Sequence, residues 1–401
     1  MRRRYHLHLP GLAYIGLIFL VAVAAMNGQN NLLFWILGLM ISAMLISGIV
    51  SGLMMRQLHV QRIVPAHGVV GEPLVVRYAL SNRSRYFSIF NMHIEECAAA
   101  GPKGFGRLMA PARAWVMHIG PRETVHGEAV LWPSRRGEAR FETLRIWTTF
   151  PFGIIKKSIS VTQPQHILVY PLLYEVNRRV VDCIGPQGLT GAKISRRPPD
   201  PAGSDDYFGM RDFRPGDSMR HIAWKRTALL DQLVSIERTR PAPPRLRVIL
   251  NLTTPTGRLR VDADEKHSPR QLEELSISLA ASIIYAAGRR GFEVGLSLPG
   301  TGQPSIPIRH GHWHQLKMMA ALASIDLDAT REKPHRQRAM DSERAGQIVA
   351  HPDRAEPAVG GPNAIHLTAR QLESLVVRPI GWDPNELLDP KHTGQPTEQA
   401  A

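Results

Sequence analysis

GLAYIGLIFLVAVAAM (residues 11–26) and LLFWILGLMISAMLISGIVSGLMM (residues 32–55) are two uncharged apolar stretches, separated by Asn27-Gly28-Gln29-Asn30-Asn31. The second is 24 residues long, more than the roughly 20 a helix needs to cross a bilayer. The first, at 16, spans if Leu9 and Pro10 join it or if flanking side chains snorkel. So short and uncharged a connection predicts an antiparallel helical hairpin in a membrane. A signal peptide is the rival reading of the first stretch, with a basic start and the small residues Ala22, Ala24 and Ala25 near a cut. Even then the second stretch stops transfer and leaves the remainder on the same side. Arg2, Arg3 and Arg4 precede the hairpin, Arg56 and Arg62 follow it, and the turn carries no cation. The positive-inside rule therefore predicts that both ends face the cytoplasm. Gly48 and Gly52 form a small-xxx-small pair, from which homo-oligomerisation through the helices is a further expectation.

The net charge of +15 is uneven: +4 over residues 1–59, +7 over 60–165, +3 over 166–240 and +1 over 241–401. Cationic surplus beside a hairpin suits anionic inner-leaflet lipid, at about 1 kcal/mol per residue near the surface. Nucleic acid is the usual rival for a basic chain, but no basic stripe with interleaved aromatics and no helix-turn-helix or zinc-finger spacing is found. Two cysteines, Cys97 and Cys183, are too few for a disulfide framework and read as buried structural thiols in a reducing compartment.

Beyond the hairpin (1–57), residues 58–165 read as a small antiparallel β-sandwich. Leu58–Val64, Leu74–Leu80, Arg113–Ile119, Thr124–Trp132, Ala139–Thr148 and Ile154–Val161 are short β-rich runs with Gly, Pro, Asn and Ser between them. Residues 166–243 form a connecting segment. From 244 to 390 strand and helix alternate, which implies an α/β domain with a mostly parallel sheet. Leu246–Leu252 reads as a strand buried on both faces. Ser268-Pro269-Arg270-Gln271 is a capping box with Pro at the first helical position. Phe292–Leu298 reads as a strand, Trp313–Ile325 as a helix, and Ala364–Leu367 and Val376–Trp382 as later strands. Residues 330–363 are polar, charged and rich in Pro and Gly, and predict a disordered insertion. The tail at 391–401 is expected to be loose.

The most distinctive string is GSDDYFGMRDFRPGDSMRHIAWK, residues 203–225. Pro215-Gly216 is a turn pair, Asp217 is placed to cap a short helix starting at Ser218, and Ile222 and Trp224 read as anchors. Arg211, Arg214, Arg220 and Lys225 are interspersed with Asp205, Asp206, Asp212 and Asp217. Such a mixture beside a Trp either latches two domains together or docks acidic groups of a partner.

This string resembles the signature of the bacterial family called domain of unknown function 58. The family's pattern runs Gly-x-Glu-Phe, Leu-Arg-x-Tyr-x-Pro-Gly-Asp, then Arg-x-Ile-x-Trp-Lys. Phe208, Arg211, Phe213, Pro215, Gly216, Asp217, Arg220, Ile222, Trp224 and Lys225 fall on it. Ala223 replaces an acidic residue, and Ala228-Leu229 stands where the family has Ala-Arg. The resemblance implies a protein anchored in the bacterial inner membrane, multi-pass, with a C-terminal domain similar to a von Willebrand factor A domain. It also implies a MoxR-type AAA+ ATPase as partner and no established enzymatic activity.

Von Willebrand A domains often bind Mg²⁺ through Asp-x-Ser-x-Ser after the first strand, since a hard cation prefers carboxylate and hydroxyl oxygens. The matching positions are Asn251, Thr253 and Pro255, a degenerate set that predicts no functional metal and no cofactor. His310, His312 and His314 alternate as zinc or nickel ligands on a strand would, but they fall at a predicted helix start, where alternation does not converge. No Gly-x-Ser-x-Gly, phosphate-binding Gly loop, His-Glu-x-x-His or Cys-x-x-Cys is present. The expected function is a non-enzymatic membrane scaffold or adaptor in protein maturation or assembly. A membrane-associated hydrolase and a small-ligand receptor are the alternatives.

Overall fold

The computed structural model describes residues 2–7, 9–28, 30–97, 104–177, 206–215, 217, 219–239, 243–259, 267–331, 345–356 and 358–380. Cys183, Gly216, Ser218 and the 391–401 tail lie outside them. Two compact units result, one built mainly on Met1–Leu173 and the other on Tyr174–Met318 with Asp326–Arg378.

The first unit starts with a strand, β1 (Arg2–Leu7), that runs into helix α1 (Leu9–Gly28). Asn30 caps helix α2 (Asn31–Gln57) through a hydrogen bond from the Leu32 amide to its Oδ1, 2.9 Å long. Both helices are long and apolar enough to cross a membrane, with mean hydropathy 2.3 and 2.4. Their large side chains are left uncovered by protein: Phe19 is 71% and Trp35 77% exposed. So wide an apolar surface marks a lipid or protein contact. The Tyr14 hydroxyl donates to the Met40 carbonyl at 3.1 Å and ties the helices together.

Strand β2 (Leu58–Ile63) follows α2 without a linker. Next come β3 (His67–Val69), β4 (Leu74–Asn82), β5 (Ile89–Cys97), β6 (Arg113–Ile119), β7 (Thr124–Leu131), β8 (Gly137–Thr148) and β9 (Ile155–Tyr170). They form two sheets: β2-β4-β7, and β1-β9-β8-β5-β6 with β3 parallel to β9. Alternation along β4 buries Leu74, Val76, Tyr78, Leu80 and Asn82. The two sheets meet across a fully buried pair: Arg62 Nε and Nη2 donate to the two Glu96 carboxylate oxygens at 2.7 and 2.9 Å. Tyr78 donates to the same carboxylate, and Arg62 Nη1 reaches the Gln163 carbonyl at 2.7 Å. Every polar atom of that pair is thereby engaged, which such burial requires. The hairpin therefore enters one sheet through β1 and the other through β2.

The second unit takes β10 (Leu173–Val176), β11 (Asp206–Asp212), helix α3 (Trp224–Leu230), β12 (Val234–Thr239), β13 (Arg245–Leu250), helix α4 (Pro269–Arg289), β14 (Glu293–Ser297) and β15 (Ile306–Arg309). Helix α5 (His312–Ala323) follows. After it come β16 (Gly346–His351), β17 (Ile365–Thr368), a one-turn helix α6 (Leu372–Leu375) and β18 (Val376–Ile380). The main sheet runs β15-β14-β13-β16-β17, with β15 antiparallel to β14 and the other neighbours parallel. The expected capping box is formed: the Gln271 amide donates to Ser268 Oγ at 3.3 Å and the Ser268 amide to Gln271 Oε1 at 2.7 Å. Helix α4 buries Leu272, Ile277, Leu279, Ile283 and Ala287.

Three expectations need correction. Residues 330–363 are not a disordered insertion throughout, because 346–351 form β16 beside β13 in the main sheet. The buried run Ile348-Val349-Ala350 outweighs the charged composition around it. The first unit's last strand extends to Tyr170 rather than stopping before 165. The segment 166–243 is not merely a connection, since it carries β10, β11, α3 and β12.

Candidate functional site

In a sheet ordered β15-β14-β13-β16-β17 the connections diverge between β13 and β16, a switch point of the kind beyond whose strand ends α/β folds place their ligands. The parallel register sets Leu250 beside Ala350, so the next residues, Asn251 and His351, are neighbours. Asn251 Oδ1 accepts from the Thr253 amide and hydroxyl at 3.2 and 2.7 Å. That fixes its amide nitrogen toward Glu356 Oε2 at 2.9 Å and His351 Nδ1 at 3.3 Å. Thr254 donates to Glu356 Oε1 at 2.8 Å. His351 Nδ1 accepts in this arrangement, so its Nε2 carries the proton and donates to His366 Nδ1 at 2.9 Å. Burial, then the neighbouring His366, lowers the His351 pKa to about 4. Burial alone would raise Glu356, but hydrogen bonds from Asn251 and Thr254 outweigh it and hold the carboxyl below its ordinary range.

The residues do not fit the Mg²⁺ that a von Willebrand A resemblance implies. The Asn251 amide aims N–H donors at Glu356 and His351, where a cation would need to stand among acceptors. Pro255 offers no side-chain ligand, and its neighbour Thr256 is turned to the buried Glu273, 3.0 Å from both carboxylate oxygens. Arg331 pairs with that carboxylate at 2.9 Å, and burial raises the Glu273 pKa. His351, Glu356 and His366 went unnoticed in the sequence because they stand about 100 residues from Asn251. The available signal was an apolar run ending in a polar residue, Ile348-Val349-Ala350-His351, of the same shape as the run ending at Asn251.

The distinctive string folds into a different object. β11 and β12 pair as an antiparallel hairpin, Asp206 opposite Thr239 and Asp212 opposite Val234. Between them a 3₁₀ turn, Met219–His221, leads into α3. Asp217 reaches back, accepting from Arg211 Nη2 at 2.8 Å and the Arg214 amide at 3.0 Å, while the helix start expected at Ser218 lies outside the described residues. The Arg211 guanidinium, then the Arg214 amide, holds its carboxyl below the usual range. The Ala223 amide donates to the Val234 carbonyl and the Val234 amide to Thr227 Oγ1, fastening α3 to β12. Ile222 is buried as expected of an anchor, but Trp224 is 61% exposed. Leu229 (75% exposed), Leu230, Leu233 and Met219 are exposed on the same module, together with Arg214, Arg220 and Lys225. Of the four cations singled out, Arg211 braces the turn and the other three face outward.

His310 and His312 are exposed, whereas His314 donates from Nε2 to the Val294 carbonyl on β14 at 3.0 Å. Among the described residues no group of three His, Cys, Asp or Glu is placed to hold a metal ion. Cys97 is half-buried, and burial raises its thiol pKa, as for an unreactive thiol.

The chain is 28% identical over 264 residues to the "Uncharacterized protein YeaD" of Bacillus subtilis (strain 168), a match covering 65% of this chain and 60% of that relative. The outward-facing module from Gly209 onward and the closed polar group apart from His366 lie inside residues 209–356, the segment that matches the family described as Protein of unknown function DUF58.

Proposed function

We propose that this chain is a non-enzymatic scaffold or adaptor of the bacterial inner membrane, multi-pass, with both units on the cytoplasmic side. In this reading the β1–β9 sheets form a sandwich that continues the hairpin, and the second unit is a von Willebrand factor A-like domain. The strand order with one antiparallel edge supports that fold. The partner is an AAA+ ATPase of MoxR type, acting with the chain in protein maturation or assembly.

One observation carries the reading: the β11–α3–β12 module turns a Trp, three Leu and three cations outward. Trp and Arg are the side chains that most often dominate interface energy, and exposed cations around an apolar centre select acidic partners. The polar groups at the switch point bond to one another, which supports a non-enzymatic reading.

Arg220→Glu tests the proposal. In affinity purification from detergent-solubilised membranes, with and without ATP, the wild-type chain retains an AAA+ ATPase. The variant loses it at least tenfold with unchanged melting temperature. A fall in melting temperature matching the loss would make the module an internal latch. Recovery of no such ATPase in either nucleotide state would defeat the adaptor reading. Protease added to intact spheroplasts leaves both units uncut if they are cytoplasmic.

A further inference from the structure

Gly48 and Gly52, the small-xxx-small pair of α2, face the chain's own strand β9. A Cβ built on Gly48 would stand 3.7 Å from Ile155 Cδ1, and one on Gly52 would stand 2.7 Å from Lys157 Nζ. The room these glycines leave is a cavity of about 270 Å³, lined on α2 from Gly48 and Gly52 through Met55 to Arg56 and on β9 by Lys157, Ser158 and Ile159. Lys157 is 7% and Ser158 3% exposed, so the polar lining belongs to the fold rather than to mobile surface chains. None of the described residues lining the cavity is acidic.

Its depth is set by the helix. From Leu32, 20 residues at 1.5 Å each span about 30 Å, the thickness of the hydrocarbon, and bring the chain to Gly52. Arg56 lies one further turn out, at headgroup level. The cavity thus has an apolar end where acyl chains stop and a cationic end where phosphates begin.

We propose that this cavity binds one anionic phospholipid, with its phosphate between Arg56 and Lys157 near the Ser158 hydroxyl and the start of an acyl chain along Gly48, Ile49 and Leu53. Basic pockets beside membrane helices recognise headgroups in this manner. The site would make the rigid junction between α2 and β9 sensitive to lipid composition. The inference rests on the hairpin spanning the membrane as read above.

The experiment uses the full chain in a neutral detergent. Its melting temperature and native mass spectrum are followed as phosphatidylglycerol, phosphatidylcholine or inorganic phosphate is added. Phosphatidylglycerol is expected to be retained at one copy per chain, with at least tenfold tighter half-saturation than phosphatidylcholine. Arg56→Gln, at the exposed rim and safe for folding, weakens it about tenfold, and Gly52→Leu, which fills the cavity, abolishes it. Equal response to the two lipids, or undiminished binding by Gly52→Leu at wild-type stability, overturns the proposal. Equal protection by inorganic phosphate overturns it too and assigns the cavity to a soluble anion. Recovery of the chain in the soluble fraction of broken cells would instead overturn the membrane reading beneath it.

Discussion

The polar group at the ends of β13 and β16 and the module of β11, α3 and β12 belong to one unit, yet they treat their functional groups in opposite ways. At the switch point, Asn251, Thr253, Thr254, Glu356, His351 and His366 bond to one another, and the Asn251 amide does what a cation would do between Glu356 and His351. In the module Arg211 pairs with Asp217 and Ile222 and Val234 are buried, but Trp224, Leu229, Leu230 and Leu233 are exposed. A network that satisfies itself stabilises the sheet edge and has little left for a ligand. A surface that leaves a Trp and several Leu uncovered gains no folding stability from burying them, and in the proposed docking role that burial energy goes to the partner.

The largest break in this comparison comes from Asn251. Replacing it with Ala leaves the buried His351 Nδ1 without its donor and the Thr253 amide and hydroxyl without their acceptor, while Glu356 keeps Thr254, at a cost of about 3 kcal/mol in denaturant unfolding. Asn251→Asp sharpens the point, since it sets a second carboxylate against Glu356. Calorimetry should then find magnesium binding in the variant and no micromolar binding in the wild-type chain. Micromolar binding by the wild-type chain would mean that the amide is not standing in for a cation.

Acid should act on the same group. His351 titrates near 6.5 when unfolded and near 4 when folded, so between those values the unfolded chain holds more protons. Its contribution is complete above about pH 6.5 and is lost as pH falls toward 4, amounting to at most about 3 kcal/mol. Protonation would set a His351 N–H against the Asn251 amide, donor to donor. Unfolding free energies measured at pH 7, 5.5 and 4.5 should fall along this course, and His351→Gln should flatten the slope while lowering stability at pH 7. An unchanged slope in that variant would move the acid sensitivity elsewhere.

The two regions also differ in how far they could be read beforehand. Hairpin, capping box and six strands of the first unit follow from local periodicity and capping chemistry, and the structure has them near the expected residues. β5 escapes local pattern because its sequence, IFNMHIEEC, breaks strict alternation and puts Glu96 among the buried positions, where Arg62 from another sheet neutralises it. β1 reads as an orienting run of arginines, and only the edge of β9 makes it a strand. β16 carries four buried residues within a charged stretch, so composition alone mistook it. Asn251 and Thr253 were visible as a degenerate motif, but their partners depend on a parallel pairing that no local pattern reports. In the module the string's turn and its cations are legible locally, whereas the exposure of Trp224 and the backward bonds of Asp217 to Arg211 and Arg214 depend on how β11 and β12 pair.

Arg211→Ala tests the one inward brace of the module. Losing the 2.8 Å bond to Asp217 frees the Arg214–Asp217 turn and lets the Asp217 carboxyl return toward its ordinary pKa. The melting temperature should fall by less than in Asn251→Ala, and the fall should vanish in acid. There Asp217 is protonated in both chains, since a depressed folded pKa contributes only above it. A fall that persists undiminished in acid would assign Arg211 a different structural partner.

Trp224→Ala should have the smallest effect on stability and the clearest meaning. At 61% exposure the indole contributes little to folding, and surface substitutions of this kind stay within about 0.5 kcal/mol. If the module is a docking face, the same substitution costs binding 2 kcal/mol or about that, a roughly thirtyfold loss of partner retention. Leu229→Ser, on the same short helix, should add to that loss while leaving the unfolding midpoint in place. If either change unfolds the chain as Asn251→Ala does, α3 is held by the rest of the fold, and the contrast between a closed network and an open surface disappears.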